Sequence, residues 1–514
     1  MFPRNVSAVA VPRFDSIGEP PALDPARARE LRGRERLHAP AEVARPQAVA
    51  SRPAPDPLSF AGLAACIEDA RAAALAGGDG PPDPVTFASL RARLEKASAR
   101  LPAAYRRAVA EPLVKTLDRL GARGFARVLA QDPEREGAAR LLLDVAQAVL
   151  QHAEGYAARA TAAFQEVVSD LYEGFLSAED RRGVKAPDHG VVPPLVRWGS
   201  AEDGPYTWPA TATETLDVEA AVVSLPAANA SGGLLAWPAL AHETAGHDLL
   251  DADDGLRDEL ARVVRERLLA EKLGLAVADY WADRIDETAS DVLGVLNMGP
   301  AAAVGLVGYF RAMNGAAGGT GSLRNVGRTD DPHPADIARA YLAAETVRLL
   351  SFEGAARWAD RLVAEADRDL GRIRLGDVAV TAGVAKAAAA VVARAIVQTR
   401  LRALDGHAFR DIQDWRDQDE AVVAELRREL REGGAKGGRA RAGAVPGSYA
   451  EGAYAAHAVA AGVYEAVGGT SSPAQVMSRM IGVLSGMHER NPAWDPARLT
   501  PSAPSAAPGS PRVA

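Results

Sequence analysis

The sequence predicts a mostly α-helical protein with one small β-sheet near its middle. Apolar residues recur at helical spacing over most of the 514-residue chain, as at Leu142, Val145, Ala146, Val149 and Leu150. Strand character is confined to 191–235, where Pro193, Pro194, Pro205 and Pro209 punctuate short segments and Val218 to Leu225 is the best strand candidate. Trp237-Pro238 then opens a helix, because proline suits a first turn, and helical patterns continue to about Arg431.

These patterns divide the chain into six stretches. Residues 1–57 are rich in Pro and Arg without periodicity, and 492–514 are rich in Pro, Ser and Ala, so both are expected to be disordered. A helical N-terminal region spans 58–190, and a core spans 191–431. The Gly-rich basic segment 432–446 reads as a loop before a C-terminal helical unit at 447–491.

Composition excludes several functions. The formal net charge of -8 is small, and basic residues are scattered, so the electrostatic footprint of a nucleic-acid binder is missing. Cys66 is the only cysteine, which rules out an intrachain disulfide and any site with two thiolate ligands from one chain. No stretch of about 18 apolar residues predicts a membrane span. Pro3, Arg4, Pro12 and Arg13 interrupt the pattern of a secretory signal, so a cytoplasmic protein is expected.

The chemistry concentrates in His242-Glu243-Thr244-Ala245-Gly246-His247. Residues four apart share a helix face, which is why His-Glu-x-x-His serves zinc hydrolases. Here the histidines are five apart, about 140° around a regular helix, so a shared metal requires a widened turn, as in a π-bulge. Gly246 is the residue suited to permit that distortion. The bland alternative is a pair of buried, hydrogen-bonded histidines.

About forty residues later, a predicted helix from Asp279 to Pro300 carries Asp283, Glu287 and Asp291 at i, i+4 and i+8. Apolar neighbours such as Ile285, Ala289, Val292 and Leu293 imply that this stripe is packed inside, where carboxylates need a cation or strong donor. A solvated acidic face is the alternative. Two imidazoles and one glutamate leave a fourth position for water, the catalytic pattern for one Zn2+ per chain. Glu243 is then the natural general base, and Asp286 and Asp291 are candidates to hold the outer N–H of each ligating imidazole.

At these residues the sequence resembles the gluzincin metallopeptidases, and the six-residue form His-Glu-x-x-Gly-His is similar to that of the dipeptidyl-peptidase III family. The downstream Glu-Glu-x-x-x-Glu/Asp of that family looks like Asp286-Glu287-Thr288-Ala289-Ser290-Asp291, with Asp286 one methylene shorter than the usual glutamate. The resemblance, confined to about 237–300, implies a helical zinc-metallopeptidase-like domain with a small sheet beside the metal helix. It also implies zinc ligands His242, His247 and Glu287, catalytic Glu243, and supporting Asp286 and Asp291. In gluzincins an edge strand pairs with an extended substrate; here that would be Val218 to Leu225, with Asn229 on the rim, the alternative being an ordinary connector.

His333, held between Pro332 and Pro334, and Arg339 could bind an oxyanion or a substrate carboxylate. The alternative for His333 is a simple turn before a helix. Tyr309 and Tyr341 could donate to an oxyanion but fit a packed core, as do His457 and His488. Asp251-Ala252-Asp253-Asp254-Gly255 fails calcium-loop spacing, and Gly318-Gly319-Thr320-Gly321 lacks the lysine of a phosphate cradle. The expectation is a zinc hydrolase acting on peptides or small proteins. The alternatives are a zinc hydrolase with a non-peptide substrate and a non-catalytic scaffold that retains the site.

Overall fold

The computed structural model describes residues 59–432 and 454–494, apart from 79, 85, 177–183, 186 and 191. The expected disordered segment 1–57 lies outside the described residues, as do 433–446 of the Gly-rich loop and 495–514 of the tail. Residues 492–494, assigned to that tail by composition, instead form a short turn whose Trp494 packs on Tyr105, His152 and His488.

The fold is mostly helical, as its periodicity predicts. In chain order the longer helices are α1 (Leu63–Ala76), α2 (Phe87–Ser98), α3 (Glu111–Gln131), α4 (Ala138–Glu154) and α5 (Ala158–Leu176). The segments Ala239–His242, Glu243–Asp248 and Leu249–Ala252 form one continuous helix, α6, which carries the histidine motif. It is followed by α7 (Leu256–Ala270), α8 (Leu275–Ala282), α9 (Ile285–Met298), α10 (Pro300–Ala316) and α11 (Asp336–Arg348). The last are α12 (Ala355–Ala366), α13 (Ala382–Gln398), α14 (Asp417–Glu432), α15 (Ala455–Val467) and α16 (Pro473–Arg490).

Among the described residues, two three-stranded sheets accompany the helices. The first has the order β1 (Leu195–Gly199), β3 (Val222–Pro226), β2 (Tyr206–Trp208), with β1 parallel and β2 antiparallel to β3. The expected strand is therefore present but starts at Val222 rather than Val218. Residues before it bend away because Thr213 Oγ1 bonds the carbonyls of Val218 and Ala220 and the Glu219 N–H donates to Ala108. This strand is central, not an edge; the strand that ends the sheet beside α6 is β2.

The sheet divides the core, and its period-two alternation explains how. Val196, Trp198, Val223 and Leu225 face a large cluster built on α1 and α5 to α16. Leu195, Tyr206, Trp208 and Val222 face a second cluster on α2 to α4. Within the N-terminal helical region, α1 and α5 belong to the large cluster and α2 to α4 to the second. The C-terminal pair α15 and α16 belongs to it as well, packing on α5 and α10.

The second sheet, β4 (Val326–Gly327), β5 (Ile373–Leu375) and β6 (Val378–Val380), was not expected. Its signal was present: Ile373-Arg374-Leu375 and Val378-Ala379-Val380 alternate around Gly376-Asp377, a two-residue hairpin turn with Gly376 at φ 60°.

Candidate metal centre

The π-helical segment Glu243–Asp248 is the widened turn that the five-residue spacing requires. It brings the two histidines to one side with their rings edge to face, centroids 4.8 Å apart and the Nε2 atoms 3.1 Å apart. Gly246 serves a purpose beyond flexibility. A Cβ there would lie 2.4 Å from Ser290 Cβ and 2.6 Å from Ser290 Cα, so its absence lets α6 and α9 cross with backbones nearly touching. Gly294, one turn beyond Ser290, repeats the contact: its Cβ would sit 3.3 Å from the His242 nitrogen. This crossing brings the α9 carboxylates to the imidazoles.

The predicted helix over 279–300 is interrupted. Asp283 and Arg284 separate α8 from α9, where the Arg284 guanidinium donates to the carbonyls of Tyr280, Arg328 and Thr329. Asp283 is exposed and leaves the stripe, whereas Glu287 and Asp291 are buried and face α6.

Glu287 Oε2 lies 3.4 Å from His242 Nε2, and its Oε1 lies 3.6 Å from His247 Nε2. Behind the imidazoles, His242 Nδ1 is 2.9 Å from Asp291 Oδ1 and His247 Nδ1 is 3.0 Å from Asp286 Oδ1. Asp286, although shorter than glutamate, makes the contact expected of it. If each Nδ1–H donates to its carboxylate, both Nε2 lone pairs point at the same space beside Glu287. Two lone pairs 3.1 Å apart repel unless a cation lies between them. Tetrahedral zinc with bonds of about 2.0–2.1 Å sets its donors about 3.3–3.4 Å apart, which the separations of 3.1, 3.4 and 3.6 Å bracket. His242, Glu243 and His247 also form a group whose ligand atoms all lie within 4.8 Å of one another, so the site can hold a metal ion.

The electrostatics agree. Burial alone would raise the Glu287 carboxyl, but His333, His242, His247 and Arg339 hold it well below its ordinary value. Burial alone would lower both motif histidines, and the carboxylates of Asp291, Glu287 and Asp286 raise them instead. The pocket thus favours positive charge between His242 and His247, which a divalent ion supplies while leaving both rings neutral.

The remaining expected residues fall into place unequally. Glu243 is buried and accepts a hydrogen bond at Oε2 from Thr207 Oγ1, 2.9 Å away. Thr207 was not anticipated, and no local signal marks it. Its position on β2 is fixed by Asp144, which accepts from Tyr206 Oη at 2.7 Å and Trp208 Nε1 at 2.8 Å. His333 Nε2 lies 3.4 Å from Glu287 Oε1, and its Nδ1 is held 2.9 Å from Asp331 Oδ1.

Arg339, expected to bind substrate, lines the cavity and engages the α9 carboxylates through Nε and Nη2. It forks onto both oxygens of Asp291 at 2.7 and 2.8 Å and reaches Glu287 Oε2 at 3.3 Å, so it positions the carboxylates. Asn229 is not on the cavity wall; its amide donates to the Gly232 carbonyl, and its own carbonyl accepts from Trp237 Nε1. Tyr309 lines the cavity near Glu243, whereas Tyr341 donates to Asp367 in the core.

The donor cluster opens on a cavity of about 550 Å³ bounded by β2, α6, α9 and α10. Compared with protein families, curated proteins and solved structures, the chain has no match.

Proposed function

We propose that this protein is a zinc-dependent hydrolase that cleaves peptides. The observation that carries the reading is the convergence of two imidazole nitrogens and the Glu287 carboxylate at tetrahedral-edge separations, with Glu243 beside them in an accessible cavity. Bound zinc would act as a Lewis acid and lower the pKa of water toward neutrality.

The side chains of the protein do the rest. His242, His247 and Glu287 would hold the ion, while Asp291 and Asp286 fix the imidazole tautomers. Glu243 takes the proton of the attacking water and later gives it to the leaving amine, with Thr207 keeping Oε2 in position. His333 and Tyr309, both on the cavity wall, are the donors we assign to the developing oxyanion. A peptide is favoured over other carbonyl substrates because β2, paired among the described residues with β3 alone, borders the cavity and can receive an extended strand. No helix among the described residues is long and apolar enough to cross a membrane.

Digestion of a peptide library, read by mass spectrometry, tests this reading. We expect the wild-type protein to cut peptides and Glu243→Ala to keep zinc while losing cleavage by at least about 100-fold. Cleavage that survives in Glu243→Ala would remove Glu243 as the base.

A further inference from the structure

His333 reaches the metal centre from outside the two helices that carry the ligands, on the loop between β4 and α11. Pro332 and Pro334 stiffen the backbone around it but do not place it. The loop is held at both ends by Tyr280 on α8 and by Arg284, which stands in the gap between α8 and α9. At its start, Arg284 Nη2 donates to the carbonyls of Arg328 and Thr329, 2.7 and 3.1 Å away. At its end, the Ala335 N–H donates to Tyr280 Oη at 2.9 Å. Gly327 makes room for this phenol, since a Cβ there would collide with Tyr280 Oη and lie 2.8 Å from the Ala335 nitrogen. The two anchors form one unit: the Arg284 guanidinium lies over the Tyr280 ring, 4.2 Å from its centroid, and Nη1 donates to the Tyr280 carbonyl at 3.2 Å.

Holding a loop with Arg284 is costly. Its guanidinium is buried, and its partners among the described residues are three carbonyls and a ring, with no carboxylate. What it supplies is a rigid fork of donors that spans two segments of chain. Those segments meet at the metal centre, because Glu287 is three residues beyond Arg284 at the start of α9 and His333 Nε2 lies 3.4 Å from Glu287 Oε1. A loop displaced by about 1 Å misplaces that imidazole, an error that can cost a reaction about 100-fold in rate. The β5–β6 turn also holds the loop, through the Gly376 N–H on the Gly327 carbonyl at 2.8 Å, so loss of Arg284 loosens the loop without freeing it.

We propose that Arg284, stacked on Tyr280, is a positioning residue that acts on the reaction through His333. This rests on the hydrolase reading above, with His333 as a donor to the oxyanion.

A double-mutant cycle tests it, read by steady-state cleavage of a peptide that the wild-type chain cuts and made with zinc-loaded full-length variants. Arg284→Met should lower kcat by about 10- to 100-fold while zinc affinity stays near that of the wild type. In a His333→Ala background the same substitution should have little further effect, because the imidazole it positions is gone. Tyr280→Phe removes only the Oη acceptor and should give a smaller loss that vanishes in the same background; it decides the matter where Arg284→Met does not fold. Losses that multiply in the double variants, a His333→Ala chain as active as the wild type, or native kcat in Arg284→Met each overturn the proposal and leave the hydrolase reading standing. A wild-type chain that cuts no peptide overturns both.

Discussion

Adding a methyl group at Gly246 would set a carbon 2.4 Å from Ser290 Cβ, well inside van der Waals contact. Two helices must then part, and with them the imidazoles and Glu287. Gly246→Ala should therefore lower stability by about 1–3 kcal/mol, the usual cost of overpacking, and weaken zinc binding at the same time. Denaturant melts and zinc titration of that variant check both effects; native stability with native affinity would show that the close crossing is not required. Asp291 acts differently, since it orients His242 while accepting both arms of Arg339. Asp291→Asn should cost about 10- to 100-fold in zinc affinity, measured by competition with a chelator. Both motif histidines, Glu243, Glu287 and the two supporting aspartates were legible as residue types at meaningful spacings. Thr207 was not, because its relation to Glu243 exists only after β2 has been pinned by Asp144, 63 residues earlier.

Among elements, α6 was the most legible. Five-residue histidine spacing on a helix demands a wider turn, and the π segment Glu243–Asp248 provides it. The break before α9 was not legible, because the carbonyls of Arg328 and Thr329 that hold Arg284 arrive from more than forty residues away. A second contact between distant elements is open to a pH test. Asp170 on α5 accepts the Ala456 N–H at the start of α15, 3.0 Å away. Burial, with Glu166 and Glu173 adding to it, pushes its carboxyl up to about 8 against the pull of that N–H. The folded chain therefore keeps a proton that the unfolded chain releases near pH 4. Stability from this group is full below about pH 4 and declines as pH rises toward about 8, by at most about 1.4 kcal/mol per pH unit. Urea midpoints of the wild type should fall across that window relative to Asp170→Asn, which has no proton to lose. A constant difference between the two proteins would show that Asp170 is ionised in the folded state.

At the scale of the molecule, helical class and the small sheet beside the motif could be read from periodicity and from the proline-rich interval 191–235. The partition into regions could not. Linear stretches suggested an N-terminal layer and a separate C-terminal unit, yet α1, α5, α15 and α16 share one core with the motif helix. Which apolar stripes meet depends on contacts across hundreds of residues, such as Gly62 N–H to the Val467 carbonyl at 2.8 Å, and no local pattern encodes them. One consequence is that the candidate metal centre sits inside the larger core, with both sheet faces covered and β2, α6, α9 and α10 all lining its cavity. The most direct test of this account is the metal content of the purified chain, compared with that of His247→Ala. Elemental analysis should find one zinc per wild-type chain and its loss in a variant that remains helical by circular dichroism. A wild-type chain without zinc, or a His247→Ala chain that keeps it, would contradict the metal centre described above.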